Sequence, residues 1–440
     1  MPINWTVEQI IKISPDAASA KAGKELANIR KWSRLGFDGQ FVWGYCQGSG
    51  KDPYKACTDI SEPAFKCSCP SHKFPCKHSI ALFLLLANQE EAFAKAEQPD
   101  WVKAWAEARV KQAEKKAKKE EKKATEEVKP IDTAKQAKRI AEREAKIIAG
   151  LEELDLWLKD LIRQGLASVQ TANYSFWDRP AARMTDAQAP GLARMIREMA
   201  GISVSGEGWQ ELLLERLSRL HLLTTSYKNL DKLPPLVQED IRTMIGWTQK
   251  QDELLKNTGV ADKWTVLGLK VEDDPLTPGL KTQRVWLQGQ ESKQFALILN
   301  FAFAKQPLDN SLVQNTTFQA ELVFFPSAYP LRAVIKSRQN IIDNKEVMFS
   351  ASISQAFASC SEALAKNPWI ERFPMALENV VPAFSKDSWR LCDDESNEIA
   401  ISPSYKATWE LLAFSGGHPI KIFGEWYQNK FFPLNFWAEN

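Results

Sequence analysis

Histidine is scarce in this chain, with four among 440 residues, and no hydrophobic run is long. The longest apolar stretch, IALFLLLA at 80–87, falls well short of the ~20 residues that cross a bilayer, so no membrane partner is expected. The opening MPINWTVEQIIKISPDAA carries acidic residues early and has no apolar core leading to a small-residue cleavage site. It does not read as a secretion signal, and the expected location is the cytoplasm. The sequence also has no C-x-x-C pair, no H-E-x-x-H and no repeat of fixed period. A paired-thiol redox centre, a zinc-protease helix and a solenoid are thereby excluded. GSGK at 48–51 is not a phosphate loop, because Tyr45 stands where the first glycine belongs and Asp52 follows Lys51. With no recognisable nucleophile arrangement either, no catalytic activity is expected. An unrecognised active site in the C-terminal region is the enzymatic alternative. Net charge is only +2, although residues 1–80 carry eleven Lys/Arg against seven Asp/Glu. That excess permits a phosphate partner without demanding one.

The pattern along the chain predicts an α+β multidomain protein. Residues 1–98 read as a ββα-type unit. A helical opening, AASAKAGKELANIRKWS, precedes two β-prone runs, QFVWGYCQ and YKACTDI, joined by the turn GSGKDP. AFKCSC is a third extended piece, and HSIALFLLLANQEEAFAKA reads as a buried helix. Residues 99–150 read as a charged helical linker, solvated and held by weak pairs three and four apart. Residues 151–258 form a helical bundle, with Leu151, Leu154, Leu158, Leu161 and Ile162 on one helix face. Residues 259–440 read as a largely antiparallel α+β domain. Its expected strands are KWTVLGLKV, KTQRVWLQG, QFALILNFAF, TFQAELVFF and LRAVIKS, then SWRLCDDESNEIAIS as a hairpin and PIKIFGEWYQNKFFPL at the end. Its expected helices are ISQAFASCSEALAKN, ERFPMALENVVPAF and YKATWELLAFSG.

The densest chemistry is CSCPSHKFPCKH at 67–78, which holds three of the seven cysteines and two of the histidines. An odd number of cysteines in a cytoplasmic chain argues against a disulfide framework. Alternate residues of an extended segment point the same way, so Cys67 and Cys69 can face one point. Cys76 and His78 would lie roughly 200° apart on a regular helix. They converge only if Cys76 sits in the turn and His78 in the first helical turn, and Pro75 suits such a start. Three thiolates and an imidazole suit tetrahedral Zn2+ with no open position, so the ion is structural. His72 is a rival for one ligand place, although His78 is the better defined. Lys66, Lys73 and Lys77 would temper the charge of the site. Phe65 and Phe74 read as packing, Cys46 and Cys57 as free thiols facing each other across the hairpin, and Cys360 and Cys392 as core. His221 reads as a packed or half-exposed bundle residue, and His418 as a turn residue.

The spacing C-x-C, six residues, C-x-H resembles the SWIM zinc fingers, residue for residue at Cys67, Cys69, Cys76 and His78. AGKELANIRKWSRLG, WGYCQGSGKDPY, GLEELDLWLKDLIRQGLA and IKIFGEWYQNKFFPL extend the likeness to longer bacterial SWIM-finger proteins. The resemblance implies binding rather than catalysis. One expected partner is DNA, met by Lys66, Lys73, Lys77, Arg30, Lys31, Arg34 and Lys51. Another is protein, in an adaptor role beside a MoxR-type AAA+ ATPase and a von Willebrand factor A-domain protein. Removing zinc is expected to unfold residues 40–95 and leave the C-terminal domain standing.

Overall fold

The computed structural model describes residues 5–15, 17–48, 52–61, 64–71, 73, 75–109, 133–170, 174–206, 208–304, 306, 308–342, 346–385 and 387–438. Its N-terminal part is a sheet with helices on both faces. Helices α1 (Val7–Lys12) and α2 (Ala17–Leu26) precede strands β1 (Trp32–Phe37), β2 (Phe41–Cys46), β3 (Tyr54–Asp59) and β4 (Ala64–Cys67). Helix α3 (Lys77–Asn88) comes next, then the short β5 (Ala94–Lys95). The strand order is β4-β3-β2-β1-β5, antiparallel except where β5 runs parallel to β1.

Helix α3 is apolar all round, and His78 through Leu86 are all buried. A helix of that kind has to lie inside a core. Here α3 packs between α1 and α2 on one side and β2, β3 and β4 on the other, around Trp5, Trp32, Val42, Ala56 and Phe65. It stops at Asn88, earlier than its apolar sequence suggests, and the chain turns through Glu90–Ala92 into β5. Strand β1 occupies residues expected to close the opening helix. It contains a register shift between Ser33 and Gly36, and Arg34 takes a positive φ of 50°.

The opposite face of this sheet is covered by α4, residues 100–109. Trp101, Val102, Trp105 and Ala106 pack on Phe41, Trp43 and Cys57. Trp101 Nε1 donates to the Tyr45 hydroxyl at 2.8 Å, and Arg109 pairs with Asp59 at 3.5 Å. The start of the expected linker therefore belongs to the N-terminal unit. The rest of that expected charged helix, at 110–132, lies outside the described residues. Cys46 and Cys57 are not opposite each other, because Cys46 pairs with Tyr54 and Cys57 with Trp43. Their side chains enter different cores on the two faces of the sheet.

The central bundle begins with α5 (Thr133–Gln164), which runs unbroken through the expected boundary at 150. Ile147, Leu151, Leu154, Leu158 and Leu161 are buried along one stripe, whereas Ile162 is exposed. After α6 (Ala167–Gln170), the stripe meets α7 (Tyr174–Asp186), α8 (Pro190–Glu198), α9 (Trp209–Lys228) and α10 (Pro235–Ile245) around Trp177, Leu192, Ile196, Leu213 and Leu220. Gly191 lets α8 reach α10, because a Cβ there would overlap the Met244 carbonyl oxygen. His221 is exposed on α9, 3.6 Å from Asp155.

A short α11 (Gln251–Leu254) leads to two five-stranded sheets. The first contains β6 (Val260–Asp273), β7 (Leu280–Gly289), β8 (Phe295–Phe303), β9 (Thr317–Phe324) and β10 (Ala333–Ile342) in the order β10-β9-β6-β7-β8. The second contains β11 (Phe373–Ser385), β12 (Ser388–Cys392), β13 (Glu398–Ala400), β14 (Ile420–Tyr427) and β15 (Lys430–Ala438) in the order β13-β12-β11-β14-β15. Leu267 and Trp286 of the first sheet pack on Ala376 and Phe423 of the second. Helices α12 (Ile353–Lys366) and α13 (Thr408–Ser415) contribute to the second sheet's other core.

ERFPMALENVVPAF, expected as a helix, is largely β11, the middle strand of its sheet. Pro374 and Pro382 would each remove a helical hydrogen bond, and Val380 and Val381 favour extended backbone. Residues 373–377 are all buried because both faces of this strand are covered. Between the sheets, Glu425 is fully buried. It accepts from Arg284 Nε and Nη2 at 2.7 and 3.0 Å, and from Trp286 Nε1 at 2.8 Å. The N-terminal unit is tied to this region by Val313, which enters the α3 core, and by Gln9, which donates to the Asn315 carbonyl.

Candidate metal centre

Strand β4 ends on Cys67, the turn carries Cys69, and α3 begins with Cys76 as its N-cap. His78 is the second residue of the helix. The extended backbone at Cys76 (φ −79°, ψ 165°) breaks the helical spacing that would otherwise hold Cys76 and His78 apart. One ligand atom from each of the four residues lies within 4.8 Å of every other. Cys67 Sγ is 3.8 Å from His78 Nδ1, which identifies Nδ1 as the inward nitrogen. A zinc tetrahedron with Zn–S near ~2.3 Å has S···S edges of roughly 3.8 Å, so these donors fit one ion with small adjustments. Among the described residues no other group of three or more such donors converges. His72 lies outside the described residues.

The site is built into the core. Cys76 is 3% exposed and His78 5%, while Cys67 and Cys69 are half-buried. Ser68, between the first two cysteines, is clasped to β3. Its hydroxyl accepts from Lys55 N–H at 2.9 Å, and its own N–H donates to the Lys55 carbonyl at 3.0 Å. The Tyr54 ring lies against the His78 imidazole, with centroids 4.8 Å apart. Gly48 backs that ring so closely that a Cβ there would overlap it. Ser79 Oγ lies 3.5 Å from Cys76 Sγ. Tyr54, Gly48 and Ser68 carry no spacing signature, because each depends on pairing across β3, whereas Ser79 stands three residues after Cys76.

Electrostatics prepare the sulfurs for a cation. The Cys67 thiol donates to Cys76, and His78 and Ser79 add hydrogen bonds. Together these overcome burial and hold Cys76 well below the ordinary thiol value. In return Cys67 is pushed well above the ordinary thiol value, and burial raises Cys69. Cys67, Cys69, Cys76 and His78 would hold the ion, with all three sulfurs bound as thiolates. The N-terminus of α3 favours the same charge. A bound Zn2+ would supply a fixed crosslink between β4, the turn and α3. With four protein donors it keeps no position for a reacting water.

The basic residues expected beside the site do not form one surface. Lys66 pairs with Cys57 across β4 and β3, which puts it on the α4 face of the sheet. Arg34 lies over the Tyr45 ring, and Tyr45 packs on Trp101 of α4, so it shares that face. Lys77 starts α3 on the other side, and Lys31 and Lys77 both act on Cys46 there. Arg30 lies in the short turn of helix before β1, and Lys31 donates to the Glu25 carbonyl. Lys73 belongs to the metal turn, and Lys51 lies outside the described residues. Phe65 is buried in the α3 core, and Phe74 also lies outside the described residues.

Two family models match the chain. The SWIM zinc finger model covers residues 66–87, the metal turn and nearly all of α3. The model of the SWIM-associated four-helix bundle domain covers residues 142–245, from within α5 to the end of α10. Comparison with curated proteins and with solved structures finds no match. The finger model and the convergent donors coincide on Cys67, Cys69, Cys76 and His78, and the bundle model accounts for the helices of the central region. The chain therefore carries a SWIM zinc finger and, on the same polypeptide, its associated helical bundle domain.

Proposed function

We propose that the protein is a non-catalytic cytoplasmic adaptor whose zinc centre is structural and whose partners bind elsewhere on the molecule. The reading rests on one observation above others, a row of aromatic rings where strands β11 and β12 meet helix α13. Phe384 and Trp409 are 59% and 70% exposed. Trp389 lies between them, with ring centroids 5.4 and 4.9 Å from its neighbours. Exposed rings joined through a partly buried one form an apolar patch of the kind that marks interaction surfaces. The closed donor set supports the non-catalytic part, and no described helix is long and apolar enough to cross a membrane.

The resemblance to bacterial SWIM-finger proteins makes a MoxR-type AAA+ ATPase and a von Willebrand factor A-domain protein the partners to test. The purified full chain should bind at least one of them, and a Phe384→Ala/Trp409→Ala variant should bind it less tightly. Failure to bind either protein would remove the adaptor reading. Nucleic acid is the weaker reading, because the basic side chains divide between two faces of the N-terminal sheet. Affinity for DNA or RNA that falls steeply with salt would reverse that order.

A further inference from the structure

We infer that Ser79 is a positioning residue of the metal centre, its hydroxyl donating a hydrogen bond to the metal-bound sulfur of Cys76. The inference rests on the metal centre alone and not on the adaptor reading. Ser79 is completely buried on α3, in a run otherwise filled by Ile80, Ala81, Leu82 and Phe83. A hydroxyl buried without a partner is destabilising, and an alanine would satisfy the same packing. The hydroxyl finds its partner at Cys76 Sγ, 3.5 Å away and likewise buried.

The direction of that hydrogen bond is set by the ion. A sulfur bound to zinc is a thiolate and has no proton to give, so the serine has to donate. The need for a donor comes from charge. Three thiolates and a neutral imidazole around a divalent cation leave one net negative charge, and Cys76 holds its share in the driest part of the site. Cys67 and Cys69 are only half-buried and can be met by water, whereas Cys76 depends on donors from the protein. Lys66 lies across the sheet and cannot fill that role. Ser79 is placed to fill it because it stands three residues beyond the N-cap, one turn up the same face of α3.

The test compares the full chain with Ser79→Ala and Ser79→Thr. Alanine removes a single atom and favours helix, so the variant keeps its fold. Far-UV circular dichroism checks this. Zinc affinity is measured by competition with a chromophoric chelator, and the metal-free protein is also loaded with Co2+ for absorption spectroscopy. The Ala variant should bind zinc about 10–100-fold more weakly, the range that supporting partners of metal ligands command. Its sulfur-to-cobalt charge-transfer band should move to lower energy, because a thiolate that loses a hydrogen bond gives up an electron more readily. The tetrahedral d–d bands should stay in place. Threonine, which keeps the hydroxyl, should restore both affinity and band position. An unchanged charge-transfer band in the Ala variant overturns the inference even if affinity falls, because packing alone would lower affinity without moving the band. A Thr variant that behaves like Ala overturns it as well.

Discussion

Removal of zinc should loosen a smaller part of the N-terminal unit than its sequence suggests. The connection from β4 to α3, residues 68–76, has no regular secondary structure among its described residues, and it carries two of the four ligands. Ordering a connection of about nine residues costs ~9–18 kcal/mol at ~1–2 kcal/mol each. Zinc binding at sites of this kind contributes ~10–16 kcal/mol, which is the same size. The ion therefore offsets the ordering of its own turn and leaves little surplus for the rest. Helix α3 has its own support. Ile80, Leu82, Phe83, Leu84, Leu85 and Leu86 are buried against α1, α2, β2, β3 and Val313, at ~1.5–3 kcal/mol for each side chain. None of that apolar burial requires the ion. Hydrogen–deuterium exchange of the zinc-loaded and chelated protein separates the outcomes. Peptides over residues 64–78 should lose protection by about a hundredfold or more, while those within 80–88 and 41–46 should stay slow. The C-terminal sheets should not respond. If α3 lost its protection together with the turn, zinc would hold the whole unit and this reasoning would be wrong. An unchanged turn would mean that no ion was there to remove.

Packing and charge give three further outcomes. Glu425→Ala leaves Arg284 buried without its main partner, which should destabilise the C-terminal region by ~3–5 kcal/mol in chemical denaturation. Glu425→Gln, which keeps the shape and one acceptor, should cost less. Gly191→Ala forces α8 away from the Met244 carbonyl, so it should lower the bundle's melting temperature while zinc content stays the same. Against the upward push of burial, hydrogen bonds from Arg284 and Lys270 hold Glu272 down to about 2. A carboxylate depressed in the fold adds stability above its ordinary value near 4.5, and the protein loses that contribution as pH falls toward 2. With solvent screening the contribution is on the order of 1 kcal/mol. Glu272→Gln should therefore flatten the loss of stability between those pH values, and unchanged acid sensitivity would contradict the role given to this carboxylate.

The metal centre is legible in the sequence because ligand spacing is local. C-x-C needs only an extended segment, and C-x-H needs only a helix that starts between its two members. Helix α3 is equally legible, since nine consecutive buried residues leave an unmistakable apolar run. The supports around the site are not. Tyr54 and Ser68 act through strand pairing, and nothing in their own neighbourhood reveals which residue they will meet. The basic residues illustrate the same limit. They are close along the chain, yet the strand period turns Lys66 to the α4 face of the sheet, whereas Lys77 begins α3, which packs on the other face. Helix α4 is masked by the charged segment C-terminal to it. Trp101, Val102, Trp105 and Ala106 form a helical stripe, but the neighbouring run of lysines and glutamates makes the whole stretch read as solvated. Strand β11 resembles a helix in sequence because both of its faces are covered, which replaces strand alternation with a continuous apolar run.

The most direct measurement is the metal content of the protein as purified. Elemental analysis should find one zinc per chain, and Cys69→Ser, which removes one of the four donors, should lower it sharply without unfolding the C-terminal sheets. Purified protein with no zinc, or a Cys69→Ser variant that retains the full amount, would contradict the assignment of Cys67, Cys69, Cys76 and His78 as a single metal site.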